Sequence, residues 1–408
     1  MLKTNGRIAV AALMVAVVVV WWASGLGRRA VDPREFFTQE QIETARSYQS
    51  PRYVAYALGL ALGLAVLVVL AFTPLGDRLL RPLRGLPWPV SAGAAVVLVL
   101  LVRAAVRLPI SFWRGHVHEE AWGFSTQSAA GWMLDWAKAL GISILLTGLV
   151  YVAFVGLVRT FPRGWPWLAA SGAAVLVVVL SFLSPVLIEP IFNRFSPLDD
   201  PPLVRELKAL ADRAGVPVKE VLVADASRRT TKENAYVSGF GRTRRLVLHD
   251  TLLRRDREEV ILVTAHELGH RKHRHVEMGI LLGAAGAALA VVVLWLVLQS
   301  GRAAAAARAT GLADPRLLPL LLLVVSLLSL AIQPVGNWVS RRFETEADRF
   351  ALQVTGDSET YVETERGLAL RNRSDLDPNP LAYRLLFTHP APAERVALAT
   401  EGDGPNGS

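Results

Sequence analysis

Seven apolar runs, at residues 8–26, 53–73, 89–108, 139–158, 167–187, 278–298 and 317–334, leave this chain few ways to fold. A hydrocarbon core about 30 Å thick takes about 20 residues of helix. It offers no water to unpaired backbone groups, so such runs are expected to be transmembrane helices. The composition agrees: over 408 residues, 52% hydrophobic content and a mean hydropathy of +0.36 are too apolar for a water-soluble protein. The run at 8–26 lies between Lys3 and Arg7 on one side and Arg28 and Arg29 on the other. A cleaved signal peptide is its rival reading. The run is longer than a usual signal core, however, and carries Trp21 and Trp22, which suit a membrane interface better than a cleavage site. Arg103 interrupts the run at 89–108 and is expected to face the bundle interior or an interface, because charge facing lipid is costly.

Between residues 189 and 275 the chain turns charged and mixed. Residues 203–214 have helical periodicity and stop at Gly215, with Pro217 following. Residues 220–224, 234–238 and 244–249 read as short strands, the last two joined through a turn at 239–241, which makes a small α+β unit. Residues 39–52 read as a polar helix, 302–308 as a frayed helix or loop, and the tail after Glu401 as disordered. There is no Cys, so any metal must be held by His or carboxylate. The formal net charge of +9 does not imply nucleic acid, since no basic stretch is interleaved with aromatics. Anionic lipid and cytoplasmic loops account for it.

One stretch within this frame carries chemistry: VTAHELGHRKHRH at 263–275. On a helix, His266 and His270 project from one face one turn apart, so two imidazoles can hold one ion. Glu267 between them is angled away from that ion but placed to take a proton from water beside it, as in HExxH zinc sites. A chance match in such a chain has a probability on the order of one percent. A catalytic zinc needs a third protein ligand and an open position. Nearby candidates are His273 and His275; His273 would lie about 10 Å further along the same face, too far to share the ion, and reads as solvated. The stronger candidate is Glu344 in SRRFETEADRF at 340–350, with Asp348 four residues on, able to accept a proton from the far nitrogen of a ligand histidine. Taken without HExxH, that segment reads as an exposed acidic helix paired with Arg341, Arg342 and Arg349.

HELGH followed at a distance by SRRFExxAD resembles the integral-membrane zinc peptidases of the type I CAAX prenyl protease family. EEAWGFSTQ at 119–127, IEPIFNRFSPL at 188–198, NAYVSGF at 234–240 and HPAPAERV at 389–396 agree in order, so the resemblance covers nearly the whole chain. It departs at Ala121 and Trp122, where the family's HGF pattern has a His. The resemblance implies Glu344 as third ligand, His389 in transition-state support, Arg395 in structural support and a large water-filled chamber among seven helices. Zinc peptidases commonly hold substrate as an added strand, and Asn234 and Ala235 are the candidates for that edge.

The expected fold is mainly α, a polytopic membrane protein with seven transmembrane helices and a small α+β zinc-peptidase domain. The division expected is 1–188 as a membrane region with five spans, and 189–408 as a peptidase region with two further spans. Two spans between the motifs put both on one side of the membrane, as a shared ion requires. Arg and Lys in the loops at 28–52 and 103–138 make that side the cytoplasmic face of the cell membrane, although Lys3 and Arg7 argue the other way. The expected function is zinc metalloendopeptidase, one Zn2+ per chain, acting on peptide or protein substrates that are membrane-associated, lipidated or CAAX-like. The bilayer is its other partner, and nucleic acid is not one. A quality-control peptidase of the same clan is the near alternative. A silent scaffold leaves the intact ligands unexplained, and a transporter does not require ligand spacing at span ends.

Overall fold

The computed structural model describes residues 31–239, 241–299 and 301–400. The span expected at 8–26 and the tail after Glu401 lie outside the described residues. Within them, six helices are long and apolar enough to cross a membrane.

The first, α1 (Gln39–Phe72), starts at a capping box in which Thr38 and Gln41 satisfy each other's backbone N–H. The polar segment 39–52 is thus the first turns of the same helix that enters the membrane, and Pro51 does not end it. α2 (Trp88–Phe112) continues through a π-helical turn at Trp113–Val117 to Ala121. α3 (Ala129–Thr160) and α4 (Trp165–Leu183) follow, the latter running on to Phe192. Leu67, Val96, Val99 and Val155 are fully buried in the bundle core, while Leu145, Val175 and Leu281 are exposed, as lipid-facing side chains should be. Arg103 and Arg107 lie against Gly63 of α1, so Arg103 faces the interior as expected.

The soluble unit opens with β1 (Phe195–Pro197), a strand the sequence pattern had not marked, then α5 (Pro201–Arg213), β2 (Glu220–Ala224), β3 (Ala235–Ser238) and β4 (Arg245–His249). The strands form one sheet in the order β1-β2-β4-β3, with β2 and β4 parallel and both outer pairs antiparallel. Gly239 (φ 78°) and Gly241 (φ 52°) turn the chain between β3 and β4 with backbone angles that few other residues adopt. α6 (Arg257–Lys272) carries the HExxH residues and packs its Ala265 and Leu268 against Leu246 and Leu248 of the sheet. β3 is left as an edge.

Two corrections concern the helices around the site. α6 ends at Lys272, and Arg274 takes a left-handed φ of 57° before α7 (His275–Gln299) begins, so His273 is not on a continuation of the HExxH helix. The run 317–334 and the Glu344 segment are not separate: α8 (Leu318–Thr355) passes through Pro334 and ends only at Gly356 (φ 67°). A helix emerging from a bilayer keeps its backbone bonds satisfied from within, and its neighbours make up for the one bond that proline removes. After α8 come α9 (Ser358–Arg371), α10 (Pro380–Leu386) and α11 (Pro392–Thr400).

Candidate metal centre

α6 and α8 cross closely because both present small residues at the contact. A Cβ on Gly269 would lie 3.0 Å from Ala347 Cα and 3.2 Å from its carbonyl oxygen. Ala347 is fully buried. The Gly of HELGH and the Ala of ExxAD are therefore the pair that lets the two motifs meet.

At that crossing the Nε2 atoms of His266 and His270 are 3.1 Å apart. Glu344 Oε2 is 3.3 Å from His266 Nε2, and Glu344 Oε1 is 3.5 Å from His270 Nε2. One ligand atom from each of the three residues lies within 4.8 Å of the others. Glu344 is 6% exposed, and its Oε2 is buried with no hydrogen-bond partner. Two facing imidazole nitrogens and an unsatisfied buried carboxylate oxygen converge on one point. That is a donor set for a cation, and the residue types suit zinc.

Each histidine is held from behind. His266 Nδ1 donates to Asp348 Oδ1 at 2.8 Å, which directs the lone pair of Nε2 into the centre. His270 Nδ1 lies 3.1 Å from Nδ1 of His275, whose Nε2 reaches Glu346 Oε2 at 3.0 Å and whose ring stacks on Phe343. The sequence offered His275 only as a nearby candidate ligand; the buried ring is instead a partner of His270 from behind, brought there where the chain turns at Arg274. Arg349 and Arg342 are not the partners of Asp348. Arg395 holds it in a fork, Nε to Oδ2 at 2.9 Å and Nη2 to Oδ1 at 2.5 Å, while Arg395 Nη1 meets Glu365 Oε2 at 2.6 Å. Glu365 is also new, since its acidic segment carried no pattern that pointed to the site.

Burial alone would push His266 down, but Asp348 and Glu344 outweigh it and raise the imidazole to about 10. The same negative surroundings favour a metal cation in place of that proton. Burial, aided by the His266 charge, pushes His270 down to about 3, which leaves its lone pair free near neutral pH. Burial pushes Glu267 up to about 7, with His266 opposing and Glu344 adding to the rise. A carboxylate in that range can both take and return a proton under ordinary conditions.

His266 and Glu267 face a cleft of about 430 Å³, lined also by Asn234, Ala235, His389 and Arg395, among others. His389 stands with Nε2 3.3 Å from Glu344 Oε2, its side chain more than half exposed and its Nδ1 at 2.9 Å from Thr388 Oγ1. In β3, His249 N–H donates to Asn234 O, so the alternation of the strand turns the backbone groups of Ala235 and Val237 away from β4. Arg271 Nη2 and Nε hold Val237 O at 2.5 and 3.1 Å. The Ala235 carbonyl is thereby left facing the cleft side of the edge.

Arg395→Ala would leave Asp348 and Glu365 buried without their shared cation. It should cost about 3–5 kcal/mol, seen as a lowered melting temperature, with His266 losing its alignment as a consequence. Equal stability of variant and parent in a thermal shift would show that the fork is dispensable.

Two family models match this chain: peptidase family M48 over residues 197–402, and the CAAX prenyl protease N-terminal region, five membrane helices, over residues 30–194. An uncharacterized metalloprotease of Bacillus subtilis, YhfN, is 31% identical over 90% of this chain and 87% of its own length. CAAX prenyl protease 1 of Saccharomyces cerevisiae is 28% identical over 71% of this chain and 68% of its own. In overall shape the chain is similar to the crystal structure of S. mikatae Ste24p, with a TM-score of 0.79 at 23% identity, covering 97% of each chain.

Proposed function

The chain belongs to peptidase family M48 and is an integral-membrane metalloprotease, and from that premise we propose that it is a zinc endopeptidase cleaving membrane-associated, CAAX-like C-terminal segments. The observation that carries the reading is the convergence of His266, His270 and Glu344 next to a cleft lined by His266, Glu267 and His389. The name of the Saccharomyces cerevisiae relative supports the substrate class.

His266, His270 and Glu344 hold the ion, and Asp348 and Arg395 keep the His266 ring in place. Zinc held there would supply Lewis acidity to a peptide carbonyl and to water. Substrate backbone pairs as an added strand along the β3 edge at Ala235, with the Asn234 side chain, which accepts from the Ala235 N–H, beside it; this sets the scissile bond without demanding particular side chains. Glu267 takes the proton of the attacking water and returns it to the leaving nitrogen. His389 donates to the oxygen that becomes negative in the transition state, and Pro390 restricts its backbone to an extended form suited to a fixed target.

The membrane region is 1–188 and the peptidase region 189–408, a division supported by family matches that meet between residues 194 and 197. Lys and Arg in the loops on the metal side support a cytoplasmic active site in the cell membrane.

The test is purified protein in lipid nanodiscs. It should contain about one zinc per chain, cleave a farnesylated CAAX peptide, lose activity to a chelator and regain it with zinc. Metal-free protein that still cleaves would end this reading. His389→Ala should leave metal content unchanged, lower kcat about 100-fold and leave KM nearly the same. Loss of metal in that variant would make His389 a ligand instead, and unchanged kcat would remove it from the site.

A further inference from the structure

Among the described residues four carboxylates line the cleft beside the metal centre, and three of them are accounted for. Glu267 serves the reaction, Glu365 meets Arg395 Nη1 at 2.6 Å, and Glu233 meets Arg255 Nη2 at 2.5 Å and Arg371 Nε at 3.1 Å. The fourth, Asp375, is 8% exposed, and its hydrogen-bond partners are neutral. The Tyr53 hydroxyl donates to its Oδ2 at 2.8 Å, and the Asp377 N–H donates to its Oδ1 at 3.1 Å. Arg46, on the first turns of α1, is engaged with Asp377 at 3.0 Å instead. Burial pushes the Asp375 carboxyl above the usual carboxylate range. Neither hydrogen bond needs the charge, and a buried charge without a counterion is costly, which marks such a group in a cleft as a place for a ligand cation.

The cleft connects Asp375 to the metal end. Glu365, Leu368, Ala369 and Asn372 all line it at the spacing of one helix face, so α9 forms a wall that starts beside Arg395. From Glu365 to Asn372 that wall is about 10 Å long. Past it the Ser374 N–H turns back to Ala369 O at 2.8 Å, which keeps Asp375 at the far end. The same end is tied to the entry of β3, with Glu233 N–H donating to Asn372 Oδ1 at 3.4 Å and Arg371 holding the Glu233 carboxylate. A chain laid on the β3 edge at Ala235 therefore runs along this wall, and about 10 Å is three residues of extended backbone. We infer that Asp375 is a specificity-determining residue, whose carboxylate takes the ammonium or guanidinium of a basic substrate side chain about three residues from the scissile bond. This rests on the endopeptidase reading proposed above.

Binding can be read without turnover, on the Glu267→Gln protein in phosphatidylcholine nanodiscs. The probe is a peptide ending in farnesylated Cys-Val-Leu-Met, capped at its amino terminus with fluorescein so that it carries no other cation. One lysine is moved through each position except the Cys, with norleucine at the same position as reference. Digestion by the wild type and mass spectrometry locate the scissile bond. At a position two to four residues from that bond, roughly the reach of the wall, lysine should bind about tenfold tighter than norleucine. Adding Asp375→Asn should shrink that ratio to below about twofold while the Kd of the norleucine peptide stays put; Asp375→Glu, which keeps the charge, should keep part of it. No lysine preference at any position, a preference only at the residues flanking the scissile bond, or one that survives in Asp375→Asn overturns the inference. Loss of norleucine-peptide binding in Asp375→Asn overturns it too, since Asp375 would then only brace the cleft wall. Lysine-selective binding that needs Asp375, without cleavage of any of the peptides by the wild type, would sink the endopeptidase reading and leave the cation site standing.

Discussion

Glu267→Gln is expected to lower proteolysis about 100- to 10,000-fold while the protein keeps its full complement of metal. Glutamine has the same shape and still accepts a hydrogen bond, but it cannot take a proton from water or return one to the leaving nitrogen. Metal content should not change because Glu267 is not among the three residues whose ligand atoms converge. It lines the cleft beside them instead. Burial raises the Glu267 carboxyl to about 7, so the side chain is half-committed to carrying a proton before any substrate arrives. Removing a buried acid that lacks a cationic partner at hydrogen-bond distance should not destabilise the fold. Single-turnover cleavage together with elemental analysis checks both halves. Activity near wild type with zinc bound would mean that another group activates the water.

Glu344→Ala is expected to lose most of the bound metal, and activity with it, and to make the metal-free protein less stable than the parent. Two histidines on one helix are then the only ligands, too few for a tightly held zinc. The second half of the expectation follows from charge: without an ion, Oε2 lies 3.3 Å from Nε2 of His266, whose imidazole the carboxylate helps to hold protonated, and alanine removes that pairing. Asp348→Ala is the control for position, since it sits one turn away on the same helix but touches His266 only from behind. It should weaken metal affinity about 10–100-fold without abolishing binding. Isothermal titration with zinc and a thermal shift of the metal-free forms separate the two. If Glu344→Ala binds zinc as tightly as the parent, the third ligand lies elsewhere, and His389, 3.3 Å from that carboxylate, is the first place to look.

Residues with a short-range rule were legible in the sequence. His266 and His270 share a helix face because of their spacing, and the six described spans follow from the length of apolar runs. Helix α5 stops near Gly215, and β2 occupies residues 220–224, because turn residues and alternation act locally. Which groups meet across the chain was a different matter. Glu344 is brought to the histidines by a crossing of two helices whose contact is a glycine and an alanine, residues with no chemistry of their own to attract notice. Asp348 was expected behind a ligand histidine from its spacing, yet its other partner, Arg395, is 47 residues away, and Glu365 had no spacing to announce it. His275 entered the site only because α6 broke at Arg274. Local sequence determined the elements and the two histidines that share one of them, since helical periodicity and bilayer thickness are properties of short segments. Only the tertiary structure decided the approach of Glu344, the buried fork behind His266 and the β3 edge at Ala235, because these depend on how closely distant backbones pack and on which charges are left to neutralise each other once they do.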